Sequence, residues 1–283
     1  MGQIDRVEVA PTGAATGEQT GQRTGGTPSR SFRVASWVTT VGAVAVFVFA
    51  LLEVVLMWLP DATLLSVIDE LTPADLEFRV QFLAVGIAAW TVVLGLVAQL
   101  VRPARHAAGM AQAWAAAATM AAVLAVVGAF GVVDVVILLA VTVVVALHPS
   151  RTQLLARPWR LDRWQGGVLL VGALPWLVAA GVWAAQARDS AGQPGTADVS
   201  AVELWGALAT VPVLILLTAL IGASDKPGWR LPAWTSVVAA TALGAHALVF
   251  SGSDGALPVP AAVAALVWSA AFAAVTLRRA RST

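Results

Sequence analysis

The 283 residues contain no cysteine and no tyrosine, and reading along the chain finds no asparagine. Without cysteine there are no disulfides and no thiolate metal sites. Without asparagine there is no N-glycosylation acceptor. Lysine is almost missing too: Lys226 is the only one, and every other basic residue is arginine. Charge of either sign is scarce. Charged residues make up 12% of the chain and hydrophobic residues 59%, against roughly a quarter and about half in a soluble domain. So little polar surface cannot cover a water-soluble globule of this length. The short motifs of phosphate-binding loops, zinc proteases and serine hydrolases (GxxxxGK, HExxH, GxSxG) do not occur. Enzyme chemistry therefore has no motif support.

What the chain has instead is long apolar runs, with a mean hydropathy of +0.82. The runs are continuous rather than alternating, which indicates helices in a bilayer and not barrel strands. The expected fold class is an all-α integral membrane protein with eight transmembrane helices. They are placed at about 34–59, 79–101, 107–129, 131–147, 165–187, 201–223, 231–251 and 260–277, within one domain over 33–281. Residues 1–32 are rich in Gly, Thr, Gln, Ser and Pro, and are expected to form a disordered cytoplasmic tail. No apolar core of the signal-peptide kind lies near the start. Between the first two spans, Leu64, Leu65, Val67, Ile68 and Leu71 recur at helical spacing and predict an amphipathic surface helix.

Basic residues orient the spans. The stretch 148–164 carries Arg151, Arg157, Arg160 and Arg163 against one Asp162, and reads as the central inner loop. With the N-terminus inside, all of the 17 basic residues but Arg79 and Arg188 fall on the inner side. The positive-inside rule then makes both termini cytoplasmic. The heavy use of Arg, Ala and Val is a compositional association with bacteria of high GC content, so the expected location is a bacterial plasma membrane. Three inner turns, VRPAR, HPSR and DKPGWR, each join a Pro to an Arg. They are either a repeated hairpin unit or common helix stops. Small residues recur every fourth position in three spans: Gly109, Ala113, Ala117, Ala121, Ala125 and Ala129; Ser236, Ala240 and Gly244; Ala261, Ala265, Ser269 and Ala273. Such ridges let helices approach closely, within the chain or against a protein partner or second copy.

Ionisable residues inside spans are candidate functional groups. Four qualify, all in the outer half: Glu53, Asp134, Glu203 and His246. Together they could form a cation or proton site. Each also has a structural reading. Glu203 follows Ser200 with capping-box spacing. Asp134 is either an N-cap or a first-turn acid, and the length of its span places it within the helix. Glu53 could reach the outer interface, and His246 could make one interhelical hydrogen bond. A second candidate is a midplane kink: Pro175 and Pro212 each free a backbone carbonyl, and Trp176 and Thr210 lie beside them. His106 and His148 sit at inner helix ends and His246 near the outer face, so no bis-histidine haem site forms, and no cofactor or metal is expected. Nucleic acid is not an expected partner; the lipid bilayer is. The inner arginines with Trp159, Trp164 and Trp229 could meet anionic headgroups. The leading functional expectation is a transporter-like or permease-like protein. A non-catalytic accessory or scaffold subunit comes second, and an enzyme acting on lipid-linked substrate third.

Overall fold

The structure, a computed structural model, describes residues 28–56, 79–128, 131–156, 159–191 and 199–282. The expected amphipathic helix at 61–78 and most of the N-terminal tail lie outside the described residues. Apart from turns and an isolated bridge between Leu161 and Ser224, the described chain is helical. Its helices are α1 Arg30–Leu56, α2 Arg79–Val101, α3 Ala107–Val127, α4 Val132–Leu147, α5 Arg151–Ala156, α6 Arg163–Ala191, α7 Val199–Ala223, α8 Arg230–Val249 and α9 Val259–Ser282. Seven are long and apolar enough to cross a membrane, and α4 is a shorter apolar helix. At 16 residues, α4 spans about 24 Å against a hydrocarbon core of about 30 Å.

Two boundaries differ from those expected. The tail does not run to residue 32: Ser29 Oγ accepts the Phe32 amide at 3.1 Å and caps α1 at Arg30. Phe32 is buried there, its ring edge-on to His148 at 5.4 Å. The central loop is likewise shorter than 148–164. It contains α5, and Asp162 starts α6 by accepting the amides of Trp164 and Gln165 at 3.1 and 3.0 Å.

α2 and α7 form the middle of the bundle. α2 packs on α1, α3, α7 and α8; α7 packs on α2, α3, α6 and α8. In a bilayer these contacts gain little from excluding water, so close approach and interhelical hydrogen bonds hold them. A Cβ on Gly95 of α2 would press on the Gly109 carbonyl and on Ala113 of α3. A Cβ on Gly222 of α7 would sit 2.6 Å from the Ala233 backbone of α8, and one on Gly244 of α8 would sit 3.0 Å from the Ala262 carbonyl of α9. The ridge on α3 is therefore largely spent inside the protein: Gly109, Ala113, Ala117 and Ala121 are buried, Ala125 is exposed, and Ala129 lies outside the described residues. The α8 and α9 faces do meet, with Thr241 and Ser269 hydroxyls 3.0 Å apart. Ser236, however, turns to the Ile215 carbonyl of α7, at 3.0 Å. Gln112 of α3 donates to the Thr91 carbonyl of α2 at 2.8 Å. Bonds of this kind in membranes are worth about 0.6 kcal/mol each on average.

Candidate functional site

The three Pro/Arg turns meet at one end of the bundle. The Ala108 amide donates to the Pro227 carbonyl at 2.9 Å. Gly228, at φ +80, brings its backbone against Arg105 and His106, where a Cβ would collide. Gln99, near the end of α2, ties this end together: its Nε2 donates to the Gly95 and His106 carbonyls, both at 3.0 Å, and its Oε1 faces His148 Nε2 at 3.1 Å. His148 Nδ1 accepts the Ser150 amide at 3.0 Å. An amide can only donate, so the imidazole is neutral with its proton on Nε2. Burial pushes His148 down to about 4, while a hydrogen bond to the Pro103 carbonyl pulls it upward. On the other side, Arg279 of α9 donates to Gln165 Oε1 at 2.8 Å and to the Gly222 and Ser224 carbonyls at 3.0 and 2.8 Å, with its guanidinium 4.0 Å from the Trp229 ring.

Two large apolar grooves open along the flank of the bundle and end here. One, about 740 Å³, lies between α3, α4 and α7 and is closed at this end by Leu154 and Trp159. Lys226, buried, donates to the Leu154 carbonyl at 2.9 Å, and its ammonium stands 4.7 Å from the Trp159 ring. The other, about 650 Å³, lies between α6 and α9 and is lined by Gly167, Val171, Pro175, Ala261 and Ala264, with Arg163 and Trp164 at its mouth. Its back wall is aromatic. Trp176 meets Trp268 edge-on at 5.9 Å, and Trp268 stacks on Phe272 at 5.3 Å. Gly172 makes this wall: the Trp268 indole occupies the place a Cβ would take, and its Nε1 donates to the Val168 carbonyl at 2.9 Å.

No family model, curated protein or solved structure matches the chain.

The residues singled out in the sequence take different environments. Glu53 lies in the helical backbone of α1, and its side chain is outside the described residues. Asp134 is in the first turn of α4, within the helix, and its Oδ2 accepts the Gly131 amide at 2.9 Å. Glu203 is exposed on α7, and Ser200 is already helical rather than the cap. His246 is fully buried in α8, its ring centre 4.5 Å from that of Phe250. α4 packs on α1, α3 and α5; α8 packs on α9, α7, α2 and α3, so that α7 and α8 are direct neighbours and both share α3 with α4. Among the described residues no group of three His, Cys, Asp or Glu could hold a metal. The proline candidate also splits. Pro175 and Trp176 line the α6/α9 groove. Thr210 and Pro212 are buried in α7, with Thr210 Oγ1 donating to the Gly206 carbonyl of its own helix at 2.9 Å.

The sequence reading missed Gln99, Gln112 and Gln165 as cross-links between elements. An uncharged polar residue inside an apolar span was the available signal. It also missed Trp268, for which no spacing rule gave notice.

Proposed function

We propose that the chain is an eight-span protein of a bacterial plasma membrane with both termini cytoplasmic, and that it is a non-catalytic accessory protein working at its bilayer-facing flank. One observation carries this reading. Small residues close the α2/α3, α7/α8 and α8/α9 contacts, while the large grooves open sideways, and small groove residues such as Gly167, Ala261 and Ala264 remain uncovered between α6 and α9. The permease reading keeps one support, His246, an ionisable group buried in a span.

The chain lacks cysteine, so single-cysteine variants report position directly. In intact cells, Ser253→Cys should react with a membrane-impermeant maleimide, and Thr152→Cys only after permeabilisation. Ala264→Cys, in the groove, should react with a membrane-soluble maleimide alone. Ala240→Cys, in the centre, should react with neither. Labelling of Ala240→Cys by the water-soluble reagent, altered by His246→Ala, would replace this reading with the permease.

A further inference from the structure

We propose that the α6/α9 groove holds an acyl chain of an anionic phospholipid, with its phosphate bound between Arg163 and Arg278. The shape comes first. The groove follows α6 from Trp164 to Ala179, about 22 Å of helix, which is most of a hydrocarbon core about 30 Å thick. A slot this long, open along its side and apolar throughout, fits a chain entering from the bilayer rather than a compact solute. Gly167 keeps it open: no atom lies within 4 Å of where its Cβ would be.

The mouth gives the charge. The Arg163 and Arg278 guanidiniums stand 5.4 and 4.6 Å from the same Trp164 ring. Both arginines are exposed, and Trp164 is 48% exposed. Neither guanidinium has an acidic partner among the described residues. The nearest candidate in sequence, Asp162, spends its Oδ1 on the Trp164 and Gln165 amides, and it interacts electrostatically with Arg279, as does Asp225. Two uncompensated guanidiniums beside an interfacial indole, at the end of a chain-length slot, match the phosphodiester of a lipid with no cation of its own. Guanidinium forks bind phosphate oxygens with charge-assisted hydrogen bonds, and the indole suits headgroup depth. A zwitterionic lipid brings a second cation to the same place and is repelled.

The proposal rests on the flank reading above. Its failure would leave the thiol-labelling pattern unchanged, so the two can be told apart. The test is lipid retention by the purified full chain in native mass spectrometry, titrated with dioleoyl phosphatidylglycerol, dioleoyl phosphatidylcholine or glycerol phosphate. Wild type should prefer phosphatidylglycerol over phosphatidylcholine by roughly 30-fold, about 1 kcal/mol for each arginine. Glycerol phosphate, lacking the chain, should not compete. R163Q/R278Q should abolish the preference. R102Q/R105Q, which removes the same number of exposed charges from the same end, should keep it. Gly167→Leu, filling the slot with both arginines in place, should lower phosphatidylglycerol retention about tenfold or more. Equal loss in the two arginine pairs would reduce the effect to general surface charge and overturn the site. So would competition by glycerol phosphate, or retention unchanged by Gly167→Leu.

Discussion

At the mouth of the α3/α4/α7 groove the cation, Lys226, is 3% exposed and bound to the Leu154 carbonyl. At the mouth of the α6/α9 groove the cations, Arg163 and Arg278, are exposed and, among the described residues, rest only on an indole. Both mouths pair a cation with a tryptophan at the end of an apolar slot. In the first, the cation belongs to the packing: removing it strands a buried carbonyl. In the second, the cations contribute little to the fold and remain available to a ligand. Burial and an internal acceptor, rather than residue type, separate a structural lock from a binding mouth.

The largest effect should come from the α6/α9 wall. Gly172→Val puts side-chain atoms where the Trp268 indole lies, and should cost about 3 kcal/mol. Gly167→Ala, five residues earlier in open space, should change stability by less than about 1 kcal/mol, toward greater stability. Denaturant unfolding in micelles measures both. Similar costs would mean that the groove is packed along its whole length and is not a slot.

Acid should then distinguish the two mouths. His148 fastens α4 to Gln99 beside the α3/α4/α7 groove, with its folded value at about 4, below the unfolded value of about 6.5. The unfolded chain binds the extra proton between these values, so stability falls as pH drops from 6.5 to 4 and is fully present above 6.5. The loss should be roughly 3 kcal/mol at most, and His148→Ala should flatten the slope in melts at pH 7.5 and 4.5. No histidine lines the α6/α9 groove, so no such slope is expected from it.

The mouths can also be compared directly. Lys226→Met should cost about 2 kcal/mol, from the unsatisfied Leu154 carbonyl. Arg278→Gln should stay within about 0.5 kcal/mol. If the arginine change cost as much as the lysine change, both mouths would be locks and the contrast would collapse. The smallest expected effect is Trp114→Phe in the α3/α4/α7 groove, which loses the 3.2 Å bond to Thr142 and should cost about 0.6 kcal/mol.

The spans were legible because a membrane helix announces itself by length and hydropathy, which need no partner to be read. Local caps were partly legible. Asp134 was placed within its helix by counting the residues left for a crossing, and the structure adds the Gly131 amide as its partner. Ser29 is not legible as a cap, because the Gly/Thr/Ser-rich stretch before it carries no helical signal. Whether the candidate ion-site residues converge is not legible in the sequence. Asp134, Glu203 and His246 share a depth in the sequence, but depth fixes only one of three coordinates. α7 and α8 pack on each other and both share α3 with α4, yet Glu203 is exposed, His246 is buried and Asp134 is bonded to the Gly131 amide.

The sequence by itself determined a helical membrane protein with long apolar helices and the concentration of arginine in a few short segments. These follow from the cost of unsatisfied backbone and exposed charge in hydrocarbon, which acts on each segment separately. The tertiary structure alone decided which small residues are consumed and which stay open, and which cations are locked and which are free to bind. Those outcomes depend on helix rotation and neighbour order. Gly172 and Trp268 are nearly a hundred residues apart, and nothing in either segment says that one leaves room for the other.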